Sequence, residues 1–232
     1  MDLIWDGIRQ AFRILGTGDR DVWSIAWRSL WISGSATAIS LVLGVGVGAL
    51  LAFRRFPGRT FAVALVNTGM GLPPVVVGLI VAIMLWRSGP LGSLGLIYTP
   101  GAMVIAQVVI ATPLVMGFTV AGLGALPARL RTQLYGLGAS PMQMLWHVLL
   151  EARLPLLAAI MAAFGAAISE VGASNMVGGN LSGDTRVLTT AVQSEVSGGH
   201  FNIAIALSII LLVLIFLVNA VFTAVQQRER HP

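Results

Sequence analysis

The feature that most constrains the fold is a set of five long apolar runs with almost no charge in their interiors. A helix that crosses the hydrocarbon core of a bilayer needs about 20 predominantly apolar residues. Only 10% of the 232 residues are charged, whereas a soluble domain carries about 25%. One globular core could not bury so much apolar surface, so the sequence predicts an all-α polytopic membrane protein and not a soluble domain. The predicted spans are 31–53, 61–86, 102–126, 154–171 and 203–225.

Two of the predicted spans contain proline. The pair Pro73 and Pro74 lies in the second span, and Pro113 lies in the third. Proline inside a helix removes a hydrogen bond and clashes with the preceding turn. A membrane tolerates such kinks only where neighbouring helices or water satisfy the freed carbonyl groups. We therefore expect the spans to pack as a bundle in one domain, residues 1–232.

Residues 1–28, ahead of the first span, predict a helix that lies in the membrane interface. Apolar residues recur at helical spacing on one face, and aspartates and arginines lie largely on the other. Tryptophans in and after this region fit the aromatic belt at one membrane surface. The apolar positions are Ile4, Ile8, Phe12 and Leu15, and the tryptophans are Trp5, Trp23, Trp27 and Trp31.

The arginines predict the orientation, because basic residues near the ends of spans favour the cytoplasmic side. All fourteen basic residues are arginine. Eight of them fall on the side that holds residues 126–153 and the C-terminus, and six fall on the other side. We expect the N-terminus outside, the C-terminus in the cytoplasm, and the loop 172–200 on the outer, periplasmic face.

Residues 126–153, named here the coupling segment, differ from the spans around them. Their pattern predicts two short amphipathic helices that meet at a bend, with Gly138 at the bend. Ser140 is placed to cap the second helix, with Pro141 at its first position. The segment is either a docking surface for a cytoplasmic partner or a connector that touches only lipid headgroups. The first apolar stripe is Leu126, Leu130, Leu134 and Leu137, and the second is Met142, Leu145, Trp146, Leu149 and Ala152.

The stretch GLGASPMQMLWHVLLEARLP, residues 136–155, resembles the coupling-loop signature, often called the EAA motif, of permease subunits in bacterial ABC importers. Gly138, Ala139 and Ser140 match the glycine core of that motif. Pro155 matches the proline that opens the next span. The chain departs from the motif at Thr132, Gln133 and Leu134, where glutamate and alanines are usual, and at Glu151, where proline is usual.

Two further stretches resemble the branch of this family that imports molybdate, tungstate and sulfate. They are NTGMGLPPVVVGLIV, residues 67–81, and ISEVGASNMVGGNLSGDTRVLTTAV, residues 168–192. The combination of SEVGA, MVGGN and TRVLTTA is most similar to tungstate permeases. The resemblance covers nearly the whole chain and implies a type I importer permease that forms an oxyanion pathway. It favours tungstate, with molybdate or sulfate as alternatives.

The resemblance also implies partners: a second copy of the chain, two nucleotide-binding ATPase subunits, and an outer oxyanion-binding protein. The chain has no GxxxxGK[ST] loop and no lysine, so it cannot bind ATP by that mechanism. We expect no catalytic residue and no cofactor on this chain, with ATP and Mg used by the partner, and no nucleic-acid partner. The expected contacts to the ATPase are Gly138, Ala139, Ser140, Met142, Gln143, Leu145 and Trp146.

Polar residues at the ends of the spans are candidates for the translocation pathway or its gate. Glu170 is a functional candidate by position, but an unpaired carboxylate suits an anion pathway poorly, which favours a structural role. Arg186 either contacts the anion at the start of a short helix or pairs with Asp184 or Glu195. Asp184 or Thr185 is the expected cap of that helix. The full set is Thr68, Pro73, Pro74, Glu170, Asn175, Asn180, Arg186, Thr189 and Thr190.

Ordinary loop polarity explains the asparagines and threonines nearly as well. Gly44, Gly46 and Gly48 favour close helix packing over a phosphate loop. His147 and His200 are isolated in the sequence, which predicts no metal site. Two other functions stay open, a self-sufficient channel or ion-coupled carrier and a structural subunit without cargo. The scarcity of ionisable groups inside the spans argues against the channel or carrier.

Overall fold

The computed structural model describes residues 2–228, which form helices joined by short loops and contain no strand. A single 3₁₀ turn, Gly92–Leu94, follows α4. The helices in chain order are α1 (Asp2–Thr17), α2 (Arg20–Phe53), α3 (Arg59–Met70), α4 (Pro74–Leu85), α5 (Pro100–Gly124), α6 (Ala128–Gly136), α7 (Pro141–Glu151), α8 (Arg153–Ile168), α9 (Gly172–Gly178), α10 (Leu188–Ser197) and α11 (Phe201–Arg228).

Helix α5 lies at the centre of the bundle and packs against α2, α3, α4, α8 and α9. Its contact with α2 is close because glycines on α2 face it. A Cβ added at Gly44 would lie 2.5 Å from the Cβ of Val115, and one added at Gly48 would lie 2.7 Å from the Cβ of Thr119. Gly46, between them, faces open space. Close packing therefore explains two of the three glycines, as the sequence predicts.

The second predicted span is broken and not merely kinked. Helix α3 ends at Met70, α4 begins at Pro74, and the two helices meet at 102°. Pro73 has an extended backbone, and Pro74 takes the first helical position, where a missing N–H costs nothing. The prediction of one helix over 61–86 is therefore wrong, because the proline pair ends one helix and starts another. Pro113, by contrast, remains inside the continuous helix α5.

The described helices reproduce the expected number of spans. Three of them, α2, α5 and α11, are each long and apolar enough to cross a membrane. The number rises to five if each of the bent pairs α3–α4 and α7–α8 counts as one span. Helix α2 begins at Arg20, well before the predicted start at residue 31, because the Asp19 carboxylate accepts a hydrogen bond from the Asp21 N–H at 3.0 Å and caps it.

Helix α1 packs along α11 through its small residues. A Cβ added at Gly7 would lie 2.7 Å from the Cβ of Ile205, and Ala11 is buried. Phe12, on the apolar face that the sequence pattern assigns to the membrane interface, is exposed, and the small residues of α1 face α11. The side chains of Ile4 and Leu15 fall outside the described set, as does Arg230 near the C-terminus.

The close contact between α2 and α5 predicts that alanine lowers stability at one α2 glycine and not at its neighbour. Gly44→Ala should lower stability by about 1–3 kcal/mol, because its methyl group would overlap Val115. Gly46→Ala is the matched control on the same helix, and its methyl group meets no heavy atom within 4 Å. Thermal unfolding of the purified protein in detergent measures both. Equal midpoints for the two variants would contradict this description of the interface.

Candidate functional site

The coupling segment bends at Gly138, as predicted. Gly138 has a φ of +76°, in the left-handed region that favours glycine. The N–H groups of Gly138 and Ala139 donate to the carbonyls of Tyr135 and Leu134, each at 3.0 Å. These two bonds occupy carbonyl groups that the end of α6 would otherwise leave unsatisfied, and they close the turn tightly.

A reciprocal pair of hydrogen bonds starts α7. The Ser140 hydroxyl accepts from the Gln143 N–H at 3.3 Å, and the Gln143 side-chain oxygen accepts from the Ser140 N–H at 2.8 Å. Pro141 occupies the first helical position. This arrangement is a capping box, so the predicted cap at Ser140 is confirmed. Gln143 therefore orders the start of the helix, and its side-chain amide oxygen is already engaged.

One face of α7 is anchored on the ends of two spanning helices. Val148 and Ala152 are buried against Ala49 of α2 and Leu123 of α5. Leu145, an expected contact to a partner, is partly buried in this same cluster. The packed residues of α7 therefore share one hydrophobic cluster with the ends of α2 and α5.

The opposite face of the coupling segment is apolar and exposed. Trp146 is 62% exposed, Met142 74% and Leu137 83%. These three residues of the predicted apolar stripes are exposed, while the packed face of α7 runs through Leu145, Val148 and Ala152. We call the exposed set the docking face, and it consists of Tyr135, Leu137, Met142, Trp146 and Leu150.

Glu170 lies just beyond α8 and is buried. Its Oε1 accepts a hydrogen bond from the Ala173 N–H at 2.7 Å, at the start of α9. Its backbone carbonyl accepts from the Thr189 hydroxyl at 2.9 Å. Glu170 thus joins the end of α8 to both α9 and α10, which matches the structural role that the sequence favours.

The break between α3 and α4 lies beside this junction. A Cβ added at Gly172 would lie 2.8 Å from Cγ2 of Val75, the residue after Pro74. Farther along, a Cβ at Gly78 would lie 2.5 Å from Cα of Ala173, so α4 and α9 are in backbone contact. The structure therefore brings the proline pair and Glu170 into one region. Thr68, in the last turn of α3, is exposed and donates to its own helix.

Asn180 and Arg186 lie in a separate region, the loop between α9 and α10. Asn180 has a φ of +51°, and its Oδ1 is buried without a partner. The Nε of Arg186 is likewise buried without a partner, and Arg186 forms no ion pair with Asp184 or Glu195 among the described residues. Both predicted pairings of Arg186 are therefore wrong.

The start of α10 is capped differently from the sequence prediction. The Thr190 hydroxyl accepts from the Val187 N–H at 3.1 Å, and the Ser29 hydroxyl of α2 accepts from the Leu188 N–H at 2.8 Å. Thr185 does not cap this helix, because its hydroxyl donates to the Gly178 carbonyl and accepts from Leu181. The N–H groups of Val187 and Leu188, which could otherwise donate to an anion, therefore already have hydrogen-bond partners.

Other predicted residues are held by local hydrogen bonds. The Asn175 amide donates to the side chain of Gln193 at 3.4 Å. His200 lies 3.0 Å from a Glu195 oxygen, a pairing that the sequence did not predict. Within residues 2–228, no three histidine, cysteine or acidic side chains come together as metal ligands.

Several structurally important residues were missed. Arg28 of α2 donates to the Gly183 and Arg186 carbonyls, each at 2.9 Å, and so fastens the α9–α10 loop to α2. Gln107 of α5 is buried and donates to the Ser174 hydroxyl at 3.4 Å. A glutamine inside an apolar span was a visible signal, because a buried amide needs a partner. Nothing in the local sequence links Arg28 to a loop 155 residues away.

The helices form a bundle of membrane spans with polar contacts between them, and the amphipathic coupling segment packs at one end of it. This architecture is that of a transport permease. The model of the family described as "Binding-protein-dependent transport system inner membrane component" matches residues 44–231. The chain belongs to this family and is the membrane-spanning permease subunit of an ABC importer. It is a multi-pass protein of the inner membrane.

Two relatives are similar over nearly the full length. The chain is 39% identical to a probable anion ABC transporter permease protein of Haloferax volcanii, over 90% of this chain and 91% of the relative. It is 36% identical to a tungstate uptake system permease protein of Peptoclostridium acidaminophilum, over 98% of this chain and all of the relative. A structure of the MetNI methionine ABC transporter, inward facing, matches the fold with a TM-score of 0.71 at 22% identity, over 87% of this chain and 93% of that one.

The geometry of the bend predicts different outcomes for two nearby glycines. Gly138→Ala forces an alanine into the left-handed region and should destabilise the bend by about 1–2 kcal/mol. Gly136→Ala, in helical backbone with open space around it, is the control and should be neutral or mildly stabilising. Hydrogen exchange at Gln143 and Met144 should accelerate about tenfold in the first variant only. Unchanged exchange in Gly138→Ala would show that the bend does not depend on glycine.

Proposed function

We propose that two copies of this permease form the pathway for an oxyanion, and that the oxyanion is tungstate. Two observations support the cargo: similarity to a tungstate permease over the whole chain, and the SEVGA, MVGGN and TRVLTTA stretches. Molybdate and sulfate are the alternative cargoes within the same branch. An outer binding protein that selects the anion docks on the side of residues 172–200 in this proposal.

The observation that carries the mechanism is the anchored, capped helix α7. Its packed face joins it to the ends of α2 and α5, while Met142 and Trp146 point away from the bundle. Large exposed apolar side chains of this kind are typical of protein interfaces. We infer that an ATPase subunit binds the docking face. Movement of that subunit then reaches the spanning helices through Val148 and Ala152.

The permease itself is passive in this proposal. ATP and Mg bind to the two partner subunits, and this chain contributes no catalytic residue and holds no cofactor. The absence of a GxxxxGK[ST] loop and of any lysine supports this division of labour. A self-sufficient channel or carrier would need no exposed lever of this kind, so the docking face favours the ATP-driven alternative.

The docking face lies in the cytoplasm in this proposal, with the N-terminus outside. The distribution of arginines supports that orientation, since Arg54, Arg55 and Arg59 lie on the same side as the coupling segment. The chain contains no cysteine, so a single cysteine at the exposed position Leu137 provides a direct test. Reaction of that cysteine with a membrane-impermeant thiol reagent added outside intact cells would contradict the orientation.

The junction around Glu170 is the proposed gate. Its carboxylate is engaged by the Ala173 N–H, so a negative charge at the pathway is partly compensated. Arg186 lies in the separate loop between α9 and α10, where it has no ion pair among the described residues, and its guanidinium is suited to an oxyanion. We propose that the anion makes a weak, transient contact with Arg186 and has no tight site, because a transporter must release its cargo.

Replacing two residues of the docking face should weaken assembly of the permease with its ATPase subunit without unfolding the chain. The double variant Met142→Ala and Trp146→Ala should weaken binding of the ATPase subunit by about thirtyfold, since buried aromatic anchors dominate interface energies. Trp27→Ala is the matched control, because Trp27 is 67% exposed and lies on α2, away from the coupling segment. Co-purification in mild detergent measures assembly. Retention of the ATPase by the double variant would count against the docking face.

The cargo is tested by reconstitution. Liposomes that contain the permease, its ATPase and the binding protein should accumulate tungstate only when ATP is supplied on the side of the coupling segment. Competition with molybdate and sulfate in the same assay ranks the three anions. Uptake by the permease alone would support a channel or carrier, and a preference for sulfate would overturn the tungstate assignment while leaving the importer mechanism intact.

A further inference from the structure

A cavity of about 570 Å³ lies between the end of α2, α6 and the start of α7. Its volume falls within the range of small-molecule sites, roughly 300–1,000 Å³. Two arginines, Arg54 and Arg131, line it together with Tyr135, and no carboxylate lines it. The tungstate pathway does not use this cavity, and Tyr135 is the one docking-face residue that lines it.

The two arginines are available to an anion. Arg54 forms no side-chain hydrogen bond or ion pair within residues 2–228. The guanidinium of Arg131 lies over the ring of Phe53, 4.2 Å from the ring centre, and has no acidic partner in the same part of the chain. Stacking fixes the plane of the guanidinium and leaves its N–H edges free to donate. Phosphate and carboxylate groups are the anions that arginine forks bind.

The rest of the cavity wall is apolar and follows the membrane-spanning helix. Gly46, Ala49, Leu50 and Phe53 recur at helical spacing, so they form one stripe along α2. The stripe is about 10 Å long and runs from the arginines back toward the middle of α2. A ligand that fits both parts has a phosphate at one end and a hydrocarbon chain at the other.

We propose that the cavity binds an anionic phospholipid, with its phosphate between Arg54 and Arg131 and an acyl chain along the α2 stripe. An acidic segment of a soluble partner would match the arginines, but it could not follow the stripe into the hydrocarbon layer. Basic pockets between membrane helices are known to hold such headgroups. Three residues of α7 line the same cavity, so the bound lipid stabilises the start of this helix. They are Pro141, Met144 and Leu145.

The test measures lipid retained by the assembled transporter in nanodiscs of phosphatidylcholine doped with phosphatidylglycerol. The variant Arg54→Gln with Arg131→Gln should bind phosphatidylglycerol about thirtyfold more weakly, because it removes both charged contacts to the phosphate inside the cavity. The control is Arg55→Gln with Arg129→Gln. It removes the same charge from exposed arginines of the same side that do not line the cavity, and should retain the lipid.

A second variant keeps both arginines. Gly46→Leu places an apolar side chain in the stripe, at a position where an added Cβ meets no heavy atom within 4 Å. This variant should also lose phosphatidylglycerol. Retention in both cavity variants, or equal loss in the control pair, would overturn the proposal.

Two further arms distinguish other occupants of the cavity. Inorganic phosphate that bound with the same affinity and the same arginine dependence would assign the cavity to a free oxyanion and contradict the lipid. Expulsion of the lipid when the ATPase joins the permease would assign the cavity to that partner. Tungstate uptake is not the readout, so failure of the lipid proposal leaves the transport proposal intact.

Discussion

Helix α7 is restrained at both ends, and in the proposed mechanism this restraint lets it transmit a force to the bundle. At its start, left-handed Gly138 and the Ser140–Gln143 capping box set the direction in which the helix leaves the bend. Toward its end, Val148 and Ala152 are buried against α2 and α5. Loss of either restraint would let the docking face move without moving the bundle. In the proposed mechanism, binding of the ATPase can open a pathway only through this rigid connection between α7 and the bundle.

The opposite end of the molecule is organised by hydrogen bonds between distant segments. Glu170 links α8 to α9 and α10, while Arg28 and Ser29 of α2 hold the loop and the helix that follow α9. Most of these contacts use backbone groups as one partner, so they restrain the path of the chain and leave few side chains free. The break between α3 and α4 lies directly beside Glu170. In the proposed mechanism, a movement that enters through α7 and reaches α5 acts on this junction of short helices.

Local rules predicted the parts of the fold that depend on local chemistry. The apolar runs, the Gly138 bend and the Ser140 cap each follow from a few neighbouring residues, and all three are present. Local rules could not predict features that depend on distant segments. Met142 and Trp146 share helical spacing with the packed residues, and only the position of α2 and α5 decides which face is buried. Thr185 resembles a helix cap, yet Thr190 and Ser29 take that role, and Ser29 lies 159 residues away.

The central claim is that α7 moves as one rigid lever when the partner binds ATP. Because the chain has no cysteine, a spin label at His147→Cys, an exposed position of α7 outside the docking face, can report the distance between the two copies in the assembled transporter. A second pair of labels, at Thr132→Cys and His147→Cys of one chain, reports the shape of the coupling segment itself. The distance between copies should change when ATP is trapped by vanadate, while the distance within one chain stays constant. Active transport with an unchanged distance between copies would contradict the account.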